Sequence, residues 1–367
     1  AFEPVAATPP PSKTVKVDFI SPEHAQDEAI AVARNGGAVL WICNTVGAAQ
    51  KQFKQLQKHT NDGEFKLGLL HSRMIFSQRE EREEEWMKRF GKDSSSRCGS
   101  ILVSTQVVEQ SVDLDADLLI TELAPTDMLL QRLGRLWRHE RGERPVDCPR
   151  ICILEEQKTL DELREMAPNA IIAAMGGKAM VYDPYVLLRS LEVWRAQIEL
   201  IVPDDIRSLL DATYLERDGD PETWLKLCDD GYAQTLVYRQ RALSSSNIWQ
   251  AALDDREGVQ TRLNEMPTIA LILCKEDGAH FVDGAMAPMN KAEFSYKTAR
   301  AIHRNLVKAP SHHFAGVASD PIFSEYLYEQ HAIGIVGTDG VVTVKGLKDG
   351  IRLSYSAEMG LAVKKSE

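Results

Sequence analysis

Apolar runs of four or five residues alternate with longer helical patterns through the first part of the chain. The runs are Val39 to Cys43, Leu67 to Leu70, Ile101 to Val103, Leu118 to Ile120 and Ile151 to Leu154. Helical spacing fills the intervals near 46 to 58 and near 77 to 90, and a third helix starts near Thr126, whose hydroxyl is a usable N-cap. Strands alternating with helices in this way predict an α/β fold, a parallel sheet wrapped by helices. Ahead of it, Lys13 to Ile20 alternates like a strand, and Ser21-Pro22-Glu23 opens a helix with a cap and a proline at its first position.

The pattern changes after about residue 155. Residues 158 to 252 read as several helices: Tyr182-Asp183-Pro184 opens one, Asp204-Asp205 another, and a long one runs around Tyr232 to Trp249. Trp194, Trp224 and Trp249 fall in apolar periodic positions and are expected in a core. From about 258 a mixed α+β unit follows, with a strand entry at Thr268, a helix over 289 to 308, and two strands joined by the hairpin turn Gly337-Thr338-Asp339-Gly340. The predicted organisation is a linker at 1–20, an α/β domain at 21–156, a helical linker region at 157–255 and a small C-terminal domain at 256–367.

In open parallel sheets ligands bind beyond the carboxyl ends of the strands. The polar clusters stand at those ends: Asn44-Thr45, His71-Ser72-Arg73, Thr105-Gln106 and Thr121-Glu122. Hydroxyls, amides and an arginine suit a phosphate backbone, because they grip phosphate oxygens without reading bases. A plain helix cap at Asn44-Thr45 and a satisfied buried histidine at His71 are the bland alternatives. On the third helix, Gln131, Arg135 and Arg138 fall within about 40° to 60° of one another, with Leu129, Leu133 and Leu136 opposite. Two guanidiniums just after Gly134 suit phosphate better than lysines would.

The order T-Q-V-V-E-Q-S-V-D-L-D-A-D, then A-P-T-D-M-L-L-Q-R-L-G-R-L-W-R-H, spans residues 105 to 139. It resembles motifs V and VI of superfamily 2 helicases, and its wording is closest to the CRISPR-associated helicase-nuclease of type I systems. Asn44-Thr45 and His71-Ser72-Arg73 match the strand-tracking motifs of the second RecA-like domain. Ser111 replaces the glycine of the general motif V. The late segments Thr261 to Glu265, Tyr296 to Arg300 and Arg352 to Leu361 resemble the same family's C-terminal domain more loosely.

The resemblance implies a second RecA-like domain, with Arg135, Arg138 and Gln131 catalytic, and Asp113, Gln131 and Gly134 at ATP. It places Asn44, Thr45, His71, Arg73, Thr105 and Gln106 on single-stranded DNA. It further implies ATP and Mg2+ bound mainly by an upstream RecA-like domain, an HD nuclease with its metal ions outside this chain, and an RNA-guided surveillance complex as partner in antiviral defence. Two other classes stay open on sequence alone: a superfamily 2 helicase outside CRISPR, and a non-catalytic RecA-like DNA-binding adaptor.

Composition adds three constraints. The 367 residues carry a net charge of -11, which speaks against a globally basic nucleic-acid binder, while Arg132 to Arg144 holds five arginines against Glu140 and Glu143. Lys297, Arg300, Arg304 and Lys308 add a second basic stripe on the late helix. Six scattered cysteines argue against a disulfide framework, and Cys148 with Cys152 lacks the second pair a zinc site needs. No apolar run reaches the roughly 18 to 20 residues of a membrane span, so a cytoplasmic protein is expected. There is no G-x-x-x-x-G-K-[ST], no D-E-x-H and no H-D metal cluster. The Pro-rich start without Met reads as the continuation of something longer, and this chain alone is expected not to hydrolyse ATP.

Overall fold

The computed structural model describes residues 12–60, 63–92, 94, 99–109, 113–231, 267–288, 295–327 and 330–365. Its first sheet has seven strands: β1 (Lys13–Ile20), β2 (Ala38–Ile42), β3 (Lys66–Leu70), β4 (Ser100–Ser104), β5 (Leu118–Thr121), β6 (Arg150–Leu154) and β7 (Glu199–Val202). They lie in the order β3-β4-β2-β5-β6-β1-β7, parallel throughout except for β7. Helices α1 (Pro22–Arg34), α2 (Val46–Gln57), α3 (Phe76–Phe90) and α4 (Thr126–Leu133) connect them. The sheet is apolar on both faces, giving one core with α1 and α2 and another with α3 and α4. This is the α/β architecture that the alternating pattern predicts.

Ser21 caps α1 by accepting from the His24 amide, with Pro22 at the first turn, as the sequence indicates. The solvated face of α3 carries the pairs Arg79–Glu83, Lys88–Glu84 and Arg89–Glu85, while Trp86 and Phe90 are buried. Gly68 in β3 makes room for that tryptophan: a Cβ there would lie 1.9 Å from the Trp86 ring.

Two boundaries move. Lys13–Ile20 is a strand, as its alternation indicates, but it belongs to the sheet and not to a linker: it lies between β6 and β7, with Val15 and Val17 in the core. The region 157–255, expected to be helical, contributes the antiparallel edge strand β7. Its helix Pro184–Arg195 is capped by Asp183, and Trp194 and Trp224 are fully buried. The long helix expected around Tyr232 to Trp249 lies outside the described residues.

The second sheet comprises β8 (Thr268–Lys275), β9 (Leu306–Pro310), β10 (His331–Val336), β11 (Val341–Val344), β12 (Ile351–Ser356) and β13 (Gly360–Lys365), in the order β13-β12-β11-β10-β8-β9. The β10–β11 hairpin turns at Gly337 to Gly340, where Asp339 accepts from the Val341 amide. The late helix is Tyr296–Arg304, so Lys308 falls on β9 instead of extending its basic stripe, and Arg304 pairs with Glu80.

This sheet docks on the first. The Leu361 amide donates to the Arg73 carbonyl at 2.7 Å, and Gln50 donates to the Met359 and Leu361 carbonyls. Arg82 bridges the Leu69 and Ala357 carbonyls, and Tyr355 donates to Gln78. Gly360 sits at the closest approach with φ +64, and a Cβ there would meet the Arg73 carbonyl at 2.4 Å.

Candidate functional site

Because β3, β4, β2 and β5 are adjacent and parallel, the polar clusters that follow them share one edge of the sheet. Thr45 ends β2's loop as the N-cap of α2, its hydroxyl accepting from the Ala48 amide at 3.1 Å. The first turn of α2 carries no acid, and Gly47 is exposed there. Arg73 follows β3, half-buried, with no ion pair among the described residues; burial lowers its pKa.

The other four expected strand contacts are turned inward. Asn44 is buried: its amide donates to Glu122, its carboxamide donates to the Leu123 carbonyl, and its Oδ1 accepts from Arg132. His71 is fully buried beneath the second sheet, with Nε2 3.0 Å from the Met359 carbonyl and Nδ1 accepting from the Arg73 amide. Burial drives its pKa down to about 4. Thr105 is buried, its amide donating to the Leu70 carbonyl, and Gln106 spends its amide on the Asn44 carbonyl and the Tyr182 hydroxyl. A surface role for these side chains was expected because an isolated strand end says nothing about what packs over it.

The arginine segment also differs from a simple helical stripe. α4 stops at Leu133, with Gly134 as its C-cap, so Arg135 and Arg138 lie beyond the helix. Ala116 and Leu136 form a β-bridge, in which the Ala116 amide donates to the Arg135 carbonyl and the Trp137 amide to the Ala116 carbonyl. Trp137 takes φ +46 at this turn. Thr126 is the first helical residue, not the cap; its hydroxyl meets Ser190, Thr213 and the Trp194 indole. Leu129, Leu133 and Leu136 are buried, as the periodicity indicates.

Opposite the segment runs D-L-D-A-D in extended form, with Leu114 and Ala116 facing the core and the three aspartates facing the arginines. Arg138 and His139 meet Asp113, Arg141 and Arg144 meet Asp115, and Arg144 also meets Asp117. Arg144 additionally stacks 4.7 Å above the Trp137 ring. Burial works to raise the Asp113 carboxyl, but hydrogen bonds from Arg138 and His139 outweigh it and hold the pKa below the usual range. The basic stretch is therefore largely neutralised from within. Asp117 accepts from the Ala38 amide at the start of β2, which puts this ladder at the opposite end of the strands from Thr45.

Arg135 is the exception. Its Nε donates to the Val108 carbonyl at 3.1 Å and its Nη2 to the Glu109 carbonyl at 2.8 Å, and no carboxylate pairs with it among the described residues. Burial, then the neighbouring Arg138 charge, lowers its pKa. Arg138 is 40% exposed at its side chain, and Gln131 and Gly134 are exposed beside them. Ser111 lies outside the described residues.

Sequence reasoning missed Arg132. It is fully buried, and its five N–H groups reach Glu109, Thr121, the Glu122 carbonyl, Asn44 and Tyr182 at 2.7 to 3.1 Å. Burial raises the Glu109 carboxyl, while Arg132 opposes the shift. A signal existed: at about 100° per residue Arg132 sits beside the leucine face of α4, so its charge had to be buried and matched.

A parallel sheet of this order, with a threonine-capped strand-end edge and a Q-R-L-G-R-L-W-R-H segment crossing one face, defines a RecA-like α/β domain. Residues 35–141 match the family model described as CRISPR-associated nuclease/helicase Cas3, C-terminal. The matched residues are similar to the C-terminal part of CRISPR-associated Cas3 proteins. It is 34% identical over 207 residues to the CRISPR-associated endonuclease/helicase Cas3 of Escherichia coli K12, covering 54% of this chain and 21% of that protein. The matched stretch thus spans about a fifth of the relative's length. The fold aligns with a T. fusca Cas3-ATP crystal structure at TM-score 0.72 and 24% identity, over 99% of this chain and 44% of that one. It also aligns with a chain of a CRISPR RNA-guided surveillance complex, pre-nicking, at TM-score 0.68 and 23% identity, over 98% and 45%.

Among the described residues no single helix is long and apolar enough to cross a membrane. Nor does any group of three or more His, Cys, Asp or Glu among them form a set able to hold a metal ion.

Proposed function

We propose that this chain is the strand-tracking, nucleotide-sensing half of a type I CRISPR interference helicase-nuclease, acting in the cytoplasm on single-stranded DNA. ATP would lie between Arg135 and Arg138 and a first RecA-like domain that supplies the phosphate-binding loop and Mg2+. The donor set fits phosphate oxygens: two guanidiniums, one of them free of carboxylates, with exposed Gln131 and Gly134 alongside. When bound, ATP supplies the phosphoryl group; Arg135 then offers its remaining N–H groups to the charge that develops on it.

The observation that carries this reading is how Arg135 is held. It grips the carbonyls of Val108 and Glu109, the end of the short 3-10 turn Gln106–Val108, whose other end is tied to Asn44 and Tyr182 at the strand-end edge. Movement of Arg135 toward phosphate would pull on the same turn that follows Thr105. That links nucleotide to strand through one short turn. Thr45 and Arg73 would take phosphates of a single strand without reading sequence.

The named solved relatives include one with ATP and one from an RNA-guided surveillance complex, which supports those two as cofactor and partner. The deciding experiment measures ATP hydrolysis stimulated by single-stranded DNA, first with this chain alone and then with the chain joined to a first RecA-like domain. Turnover only in the joined protein is the expected result. Turnover in the chain alone would place a complete nucleotide site within it and end the split-site reading.

A further inference from the structure

The joint between the two sheets gathers basic side chains from both of them. On the first sheet's side stands Arg73, half-buried after β3. On the other, the short 3-10 turn Ser311–His313 follows β9, and the His313 carbonyl accepts from the Lys348 amide at 2.9 Å. Phe314 bridges Leu347 beside it, so the histidine and the lysine stand on adjacent stretches of chain. Lys365 ends β13, the strand whose Leu361 amide holds the Arg73 carbonyl.

These groups act on one another. Part burial lowers the His313 pKa, and the charges of His312, Arg73, Lys365 and Lys348 lower it further. The His312 and His313 rings lie 3.9 Å apart, centroid to centroid. None of the five side chains forms an ion pair or a hydrogen bond among the described residues, and Asp349, next to Lys348, pairs with none of them. Elsewhere in this chain of net charge -11, Arg132, Arg141 and Arg144 each have a carboxylate of their own. Like charges brought together repel, and an anion placed among them removes that cost. The cluster is therefore matched to an anion from outside the chain.

Its place selects the anion. Arg73 is one of the two side chains proposed to take a strand phosphate, and the cluster continues from it onto the second sheet. Lysine ammonium groups grip phosphate oxygens without reading bases. We infer that the second sheet takes further phosphates of the same single strand, with Lys348 and Lys365 as the charged contacts beside the two imidazoles. This rests on the reading that a single strand crosses at Arg73.

The test measures the affinity of the full chain for a fluorescent oligothymidine by anisotropy across a salt series. On a single strand each neutralised phosphate adds about 0.7 to the slope of log affinity against log salt. The slope is expected to fall by about 0.7 in Lys348→Gln and in Lys365→Gln, and by about 1.4 in the double variant. Lys16→Gln supplies the control: it removes an exposed charge from β1, five strands away from β3, and should leave the slope unchanged. An unchanged slope in the double variant with the strand still bound, or an equal fall in Lys16→Gln, would overturn the inference and leave the reading at Arg73 standing. Failure of the wild-type chain to bind any single strand would remove that reading and this inference with it.

Discussion

Glu109 is held by two arginines in two different ways: its carboxylate accepts from Arg132 Nε at 2.7 Å, and its main-chain carbonyl accepts from Arg135 Nη2 at 2.8 Å. Arg132 carries the contact on to Asn44, Thr121 and Tyr182 at the strand-end edge, while Arg135 faces outward. One residue therefore joins the interior strut of the domain to its exposed guanidinium. A displacement of Arg135 is passed to a rigid, fully bonded side chain instead of being absorbed by a loose loop.

Arg135→Ala in the helicase that includes a first RecA-like domain is expected to lower DNA-stimulated ATP turnover by about 10³-fold or more, the scale of an arginine finger. Affinity for single-stranded DNA should stay within about twofold, since the strand contacts are assigned to Thr45 and Arg73 and not to Arg135. Steady-state ATPase assays alongside fluorescence anisotropy separate the two effects. Near-normal turnover would remove Arg135 from the nucleotide site.

Glu109→Ala strands the buried Arg132 charge. Removing one partner of a buried ion pair typically costs about 3 to 5 kcal/mol. Tyr182→Phe, which deletes a single hydroxyl from the same network, should cost only about 1 kcal/mol. Urea unfolding of the two variants measures the difference, and equal costs would show that Arg132 does not depend on Glu109.

Much of this was legible in the chain. The alternating apolar runs gave the parallel sheet, and the leucine spacing of α4 gave its buried face. The extent of α4 was not legible, because the helix stops where Leu136 pairs with Ala116, a contact twenty residues away that no local pattern encodes. Arg132 was passed over because a charge beside an apolar stripe reads as solvated until its partners, spread from Asn44 to Tyr182, are brought together. His71 presented the opposite problem: its lid at Met359 lies 288 residues along the chain. Strand order has the same cause, since β1 and β7 enter the sheet from either end of the domain.

His71 should make the docking of the second sheet sensitive to acid. Its pKa is about 4 in the folded protein, against about 6.5 when unfolded, so between those values the unfolded state binds more protons. The stabilisation is complete above about pH 6.5 and is lost as pH falls toward 4. From pH 7 to pH 5 this single group should cost about 2 kcal/mol. His71→Asn should flatten that part of the pH profile of thermal unfolding. A variant that keeps the full slope would assign the acid sensitivity to other groups.

Gly360 offers a sharper probe of the same joint. Its φ of +64 is one that an L side chain adopts only with strain, and an added Cβ would stand 2.4 Å from the Arg73 carbonyl and 2.7 Å from the His71 ring. The obstacle on one side is backbone, which cannot swing away as a long side chain would. Gly360→Ala should therefore lift the second sheet off the strand end, breaking the Leu361-to-Arg73 hydrogen bond and opening His71 to water. The histidine would then titrate near its ordinary value, and limited proteolysis should cut the chain near 357 to 361 faster than in the wild type. Because Arg73 is one of the two strand-end side chains proposed to take a phosphate, the same substitution is expected to change DNA affinity while leaving the Arg135 contacts to Val108 and Glu109 in place. Unaltered proteolysis and an unaltered His71 titration would show that the joint tolerates the extra carbon and that the close approach at Gly360 does not hold the two sheets together.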